Sequence, residues 1–262
     1  MGVRQSICRL ANPFLRVLNL EINPRGPERI VPIAALSQSE AVDRIGWMKR
    51  QLGFEPKAVV DVGASDGRWA LPAMELFPDA RFLLIEAQEA HRETLQEIAE
   101  KNGRVTCYEG IVGEKKGRVK FMVHGHKSSL YGNSHGEEFG RAVEAEMNTL
   151  DEIVDAAGFP SPDMIKLDVE GAELRALMGG KKALESAEVV EMEVSLIPFQ
   201  KGIPLFHEVV GFMAERGFRV FDVFGSHGRP LDGLPAQGEC IFIRSGSSLV
   251  MDPRWGEGIP WS

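Results

Sequence analysis

The chain has 262 residues, of which 44% are hydrophobic and 26% charged, a balance expected of one large globular domain with a short extension. Its net charge of −8 and pI near 5.4 argue against a nucleic-acid backbone as the main partner, and no block of Lys and Arg reverses that locally. The cysteines Cys8, Cys107 and Cys240 form no Cys-x-x-Cys pair, which speaks against a structural zinc or a disulfide frame and fits a reducing, cytoplasmic setting. No apolar run approaches the roughly 20 residues that cross a bilayer.

Met1 to Leu20 alternates arginines with apolar residues and reads as an amphipathic helix rather than a signal peptide. After a Pro/Gly-rich connector, Ser37–Leu52 has helical periodicity and stops at Gly53. An N-terminal helical extension over residues 1–55 is therefore expected, then a main domain over 56–245 and a tail over 246–262. Within the main domain strands and helices alternate. Ala58–Val62 reads as a strand and Asp66–Leu76 as a helix. Arg81–Glu86 is a second strand, Glu89–Asn102 a helix, and Arg104–Tyr108 a third strand. Gly117–Val123 and Arg141–Thr149 both alternate apolar and polar residues, the mark of an inserted β-hairpin, around a Gly-, Ser- and His-rich loop placed to act as a lid. Leu150–Ala157, Met164–Asp168, Ala172–Met178, Glu188–Val194 and Leu205–Arg216 resume the alternation, and Phe218–Val223 and Glu239–Ile243 end it. The last two strands have no helix between them, so one of them is expected to run antiparallel. The fold class is α/β: a Rossmann-like, seven-stranded, mostly parallel sheet, which binds ligands beyond the carboxyl ends of its strands where strand order reverses.

The first strand runs into Asp61-Val62-Gly63-Ala64-Ser65-Asp66-Gly67, a glycine turn that lets a ligand approach backbone without meeting a Cβ. The spacing is neither the Gly-x-Gly-x-x-Gly of dinucleotide enzymes nor a phosphate loop. An acid where a phosphate would sit favours a cationic or zwitterionic head group, such as the ammonium and sulfonium of S-adenosylmethionine. Glu86, alone at the end of the second strand, can accept both hydroxyls of a ribose; as a helix N-terminal acid it needs no ligand at all. Glu109-Gly110-Ile111 lies where an adenine would, or is a plain strand exit. Asp168 ends the fourth strand in Asp168-Val169-Glu170-Gly171-Ala172-Glu173, where it can hold an ammonium or polarise an acceptor hydroxyl. Glu170 and Glu173 then serve as supporting or capping acids, and a divalent metal ranks below these readings. Glu191 and Glu193 share one strand face, and a buried carboxylate there must be paired or functional. Glu193, nearer the carboxyl end, takes the acceptor side. His124, His126 and His135 cluster in the lid, where His126 is a candidate base or simply a solvated side chain.

On these residues the chain resembles the FkbM family of S-adenosylmethionine-dependent methyltransferases. The resemblance rests on Val60–Gly67, Ile85-Glu86-Ala87, Thr149-Leu150-Asp151-Glu152-Ile153 and Ile165–Glu173, with looser support from Ser128-Ser129-Leu130 and Met192-Glu193-Val194-Ser195. It implies O-methylation of a sugar or other secondary metabolite on a class I methyltransferase fold. By that likeness Asp61, Gly63, Ser65, Asp66 and Gly67 line the methionine end of the cofactor. Glu86, Ala87 and Gln88 meet the ribose, with Gln88 standing where the family often has a small polar residue after a Pro. Asp168 faces the reacting sulfonium, and Asp168, Glu193 and His126 are the catalytic candidates. A small-molecule or glycan acceptor is expected, with no metal and a homo-oligomer open. A nicotinamide-dependent oxidoreductase and a non-catalytic module of the same fold are the competing readings.

Overall fold

The computed structural model describes residues 33–123 and 141–250. One compact unit spans Leu36–Ser262; the other, Met1–Ala35, falls almost wholly outside the described residues. The elements in chain order are α1 (Ile33–Leu52), β1 (Ala58–Val62), α2 (Ala70–Leu76), β2 (Arg81–Glu86), α3 (Arg92–Lys101), β3 (Val105–Glu109) and β4 (Ile111–Val112). Then come β5 (Gly117–Val123), β6 (Arg141–Asn148), α4 (Leu150–Ala156), β7 (Met164–Leu167), α5 (Glu173–Met178) and α6 (Lys181–Ser186). β8 (Val189–Ser195), α7 (Phe206–Ala214), β9 (Phe218–Gly228) and β10 (Pro235–Arg244) complete the unit.

Seven strands form one sheet in the order β3-β2-β1-β7-β8-β10-β9. β10 runs antiparallel to both of its neighbours, and the other pairings are parallel. The sequence places the odd strand in the last pair for a physical reason: a parallel pair needs a long crossover, and a turn-length connection cannot supply one. Every residue of β1 and β7 is buried, because helices cover both faces of the sheet. Val60, Leu83, Ile165 and Val190 meet α4, α5, α6 and α7 on one face. Val59, Phe82, Leu84 and Met164 meet α1, α2 and α3 on the other. Each fully buried Val, Leu or Phe contributes about 1.5–3 kcal/mol from burial.

The structure departs from the sequence reading at several boundaries. α2 begins at Ala70 rather than Asp66, because Gly63, Ser65 and Gly67 all have positive φ and hold the chain in a turn. The hairpin gains a third strand: β4 pairs parallel with β6, giving a small sheet β4-β6-β5. α6, a six-residue helix, has no counterpart in the sequence reading. Much of α1, assigned with the extension, packs on the sheet through Ala41, Ile45 and Met48. Likewise Leu249 joins that cluster and the Ser247 hydroxyl donates to Glu188 at 2.6 Å, so the start of the tail belongs to the fold. Thr149 and Glu152 make a reciprocal capping box that starts α4, a device worth about 1 kcal/mol.

Candidate functional site

Strand order reverses between β1 and β7, and the turns leaving these two strands touch. A Cβ on Gly63 (φ +84°) would collide with the backbone carbonyl of Asp168. Glycine is required there twice over, by conformation and by space. Facing turns also hold the two non-glycine residues with positive φ among the described residues, Ser65 and Glu170, both at +51°. Such strained backbone gathers where surrounding structure fixes a site.

Glu86 ties the first turn to the second strand. One carboxylate oxygen accepts the Ser65 amide at 2.8 Å and the other the Gln88 amide at 2.8 Å. Each oxygen keeps a lone pair, so the side chain can still receive two hydroxyls. The Ser65 hydroxyl lies 3.4 Å from His91 Nε2. A shallow cleft beside Glu86 is lined by Gln88, Leu95, Cys107, Tyr108 and Glu109.

Across the switch point lies a row of buried charge. Asp61, Lys166 and Glu191 are register partners on β1, β7 and β8, and all three are nearly or fully buried. Lys166 Nζ stands 3.6 Å from Asp61 and 3.2 Å from Asp168, and 6.0 Å from the centre of the Trp69 ring. The Trp69 indole N–H donates to Glu191 at 3.0 Å. Both Asp61 oxygens and the second oxygen of Glu191 lack a hydrogen-bond donor. Burial pushes the Asp61 carboxyl up to about 6 against the pull of Lys166, and burial pushes Glu191 to about 7. Burial pulls Lys166 down, but Asp168 and Asp61, then Glu239 and Glu191, outweigh it and raise it. The ammonium is therefore fixed and the carboxyls carry the titration.

The turn after β7 is shaped by Glu173, whose carboxylate accepts the amides of Val169 at 3.0 Å and Gly171 at 3.1 Å. Burial raises Glu173 to about 7, with these hydrogen bonds opposing. Glu193, on β8, is partly exposed, and accepts a hydrogen bond from the Gln237 amide at 2.5 Å.

The foreseen residues thus fall into two groups. Gly63, Ser65, Gly67, Glu86 and Gln88 converge around the first turn, while Asp61, Asp168 and Glu193 line the acidic side. Others make contacts within the chain. Asp66 pairs with Arg68 at 2.7 and 2.8 Å, and that hydrogen bond lowers its pKa. Glu109 is held by Arg92, which lowers its pKa. Gly110 donates its amide to the Glu86 carbonyl at 2.9 Å. Ile111 sits in β4 and packs with Phe121 and Met147, with Ala87 against them. His126 lies outside the described residues. Sequence reasoning passed over Lys166, Trp69, Gln237 and Glu239. A lysine inside an otherwise apolar strand was the available signal for Lys166; the other three require the strand register.

A carboxylate surplus around one ammonium, with undonated Asp61 oxygens, suits a ligand carrying positive charge. Glu86, with capacity for two hydroxyls, suits the ribose end of the same ligand. Among the described residues no group of three or more His, Cys, Asp or Glu is arranged to hold a metal ion, and no helix is long and apolar enough to cross a membrane.

Comparison with known proteins identifies the family. The FkbM methyltransferase domain matches residues 61–220, well over half of the chain. The 2-O-methyltransferase NoeI of Sinorhizobium fredii (strain NBRC 101917 / NGR234) is 26% identical over 156 residues, 52% of this chain and 63% of that protein. The matched segment thus spans less than two thirds of that relative. Among solved structures, the FkbM methyltransferase of Methylobacillus flagellatus KT aligns with a TM-score of 0.46 at 18% identity, over 71% of this chain and 43% of that one. Magnesium protoporphyrin IX methyltransferase of Synechocystis PCC 6803, with S-adenosylhomocysteine bound, aligns with a TM-score of 0.49 at 11% identity, over 92% and 100%. The nicotinamide reading is displaced by the family match. The chain belongs to the FkbM family of S-adenosylmethionine-dependent methyltransferases.

Proposed function

We propose that this chain methylates a hydroxyl oxygen on a sugar or another polyhydroxylated small molecule. The observation that carries the reading is the partly exposed carboxylate of Glu193 at the carboxyl end of β8, two strands from the glycine turn. A hydroxyl must lose its proton to become a strong nucleophile, whereas a neutral amine attacks with its proton in place. Carboxyls raised toward neutrality suit that proton removal. The 2-O-methyltransferase named among the relatives points the same way.

When bound, S-adenosylmethionine supplies a methyl group on a positively charged sulfur that is a good leaving group. The chain's own residues hold and align. Glu86 takes the ribose hydroxyls, with Gln88 beside it, and the Gly63–Gly67 turn receives the methionine end. Asp61 and Asp168, spaced by Lys166, set a negative field for the ammonium and sulfonium. Asp168 orients the acceptor, and Glu193 takes its proton at a carboxylate oxygen. Holding two reactants in line supplies up to about 7–11 kcal/mol of barrier lowering, and a positioned base adds roughly 10²–10⁴-fold.

The test is transfer of isotopically labelled methyl from S-adenosylmethionine to a panel of mono- and oligosaccharides, phenols and amines. Label on a hydroxyl oxygen supports the reading. Label confined to nitrogen or carbon overturns it, and cofactor binding without transfer to any class identifies a non-catalytic module.

A further inference from the structure

Two carboxyls stand opposite each other at the acceptor end of the sheet. Glu193 in β8 and Glu239 in β10 are direct partners in the antiparallel register. Direct partners place their Cβ atoms roughly 4.5–5.5 Å apart. Glu239 is 6% exposed and Glu193 partly exposed, so water screens the pair from the Glu193 side alone. Gln237, 9% exposed, donates its amide to Glu193 at 2.5 Å. The β10–β9 register slips on both sides of Gln237, between Pro235 and Gln237 and between Gln237 and Glu239. Bulges of this kind re-aim side chains, and here they flank the residue that grips Glu193.

The other charges around the pair do not relieve it. Asp168 follows β7, Glu170 and Glu173 belong to the next turn and helix, and Glu191 lies in β8; all raise one or both carboxyls. Lys166 lowers Glu239, but its ammonium is already engaged by Asp168 at 3.2 Å and Asp61 at 3.6 Å. Burial is the largest cause for each member, and both are raised well above the usual carboxylate range. Two carboxyls that face each other in this register resist ionising together.

We propose that Glu193 and Glu239 share one proton across β8 and β10, and that Gln237 fixes Glu193 as the carboxylate that takes the proton of the acceptor hydroxyl. This rests on the O-methylation reading above. The acceptor oxygen bonds to the methyl carbon as the carbon–sulfur bond breaks, and that bond's electron pair stays on sulfur. The O–H electron pair stays on oxygen and the proton passes to a Glu193 carboxylate oxygen. Both members of the pair are then neutral, and the single negative charge they carried together is gone. Gln237 and Glu239 are positioning residues; Glu193 is the group that meets the acceptor.

The experiment is a carbon-13 carboxyl titration of the full chain labelled at glutamate, with S-adenosylhomocysteine bound, the pair being assigned with Glu193→Gln and Glu239→Gln. Glu193 is expected to titrate in two steps. In Glu239→Gln it should titrate once, at least one pH unit below the upper step of the wild type. A single step in the ordinary carboxylate range, or one unmoved by Glu239→Gln, overturns the shared proton. With an acceptor from the labelling panel, Gln237→Leu should lower kcat more than tenfold with KM for S-adenosylmethionine unchanged, and shift the limb of the pH–rate profile that reports the base. Unchanged kcat and an unmoved limb overturn the positioning role. A wild type that binds S-adenosylhomocysteine yet labels no hydroxyl overturns the O-methylation reading and the base role together, and the titration then judges the shared proton alone.

Discussion

The two sides of the switch point are built on opposite principles. On the β1–β2 side, Glu86 has an amide donor for each oxygen, and the turn is fixed by glycines and backbone bonds such as those from Gly63 and Ala64 to the Ile85 carbonyl, at 2.9 and 3.0 Å. From Asp61 in β1 across β7, β8 and β10, the acids Asp61, Asp168, Glu191 and Glu239 act on Lys166, Glu193 faces Glu239, and both Asp61 oxygens and one of Glu191 have no donor. On the first side each Glu86 oxygen already accepts a backbone amide. The second stores unfavourable charge that a cationic ligand and a departing proton can relieve. On the proposed reading, the rigid side serves binding and the titratable surplus serves chemistry.

The sharpest way to break that contrast is Lys166→Met. Removing one partner from a buried charge set costs about 3–5 kcal/mol, and urea unfolding should show the loss. It should be larger at pH 8 than at pH 5, because Asp61 (about 6) and Glu191 (about 7) can take up protons at the lower pH. A loss independent of pH would mean that the acids are not a coupled store of charge.

On the satisfied side, Gly63→Ala meets both the positive φ and the Asp168 carbonyl. Strain alone costs about 1–3 kcal/mol, so a lowered melting temperature and weakened S-adenosylhomocysteine binding are expected together. Glu86→Ala removes an acceptor of charge-assisted hydrogen bonds worth about 1.5–3 kcal/mol each. Calorimetry should show affinity reduced about tenfold or more.

Stability should also fall as pH rises from about 4.5 to 7. Asp61, Glu173 and Glu191 have folded pKa values raised above their unfolded ones. In that window the folded chain therefore binds more protons than the unfolded chain, and the slope of stability against pH is negative. Urea midpoints measured across the window test the sign. The smallest effect belongs to the exposed Arg92–Glu109 pair: Arg92→Ala should leave the melting temperature within error. If it also leaves cofactor affinity unchanged, Glu109 has no part in holding the adenine.

The contrast also explains what could be read from the sequence. Apolar strand cores, a glycine turn and a lone acid at a strand end are local patterns, so β1, β2 and Glu86 were legible residue by residue. Glu173 was legible as a capping acid from its place near a helix start. Lys166 was visible as a lysine between Ile165 and Leu167, yet its partners Asp61 and Glu191 are contributed by two other strands. Gln237 and Glu239 were hidden further, because only the antiparallel register of β10 with β8 sets them against Ser195 and Glu193. Asp66 and Glu109 went the other way. Each is a cofactor candidate in the sequence, and the structure adds an arginine partner that spacing alone does not reveal, Arg68 two residues away or Arg92 on α3.

The most direct test of the two-sided account is calorimetric titration of S-adenosylhomocysteine into the wild type, Glu86→Ala and Glu239→Gln. The account predicts binding by the wild type, a loss of about tenfold or more in Glu86→Ala, and affinity within about twofold of wild type in Glu239→Gln. Equal losses in both variants, or none in Glu86→Ala, would contradict it.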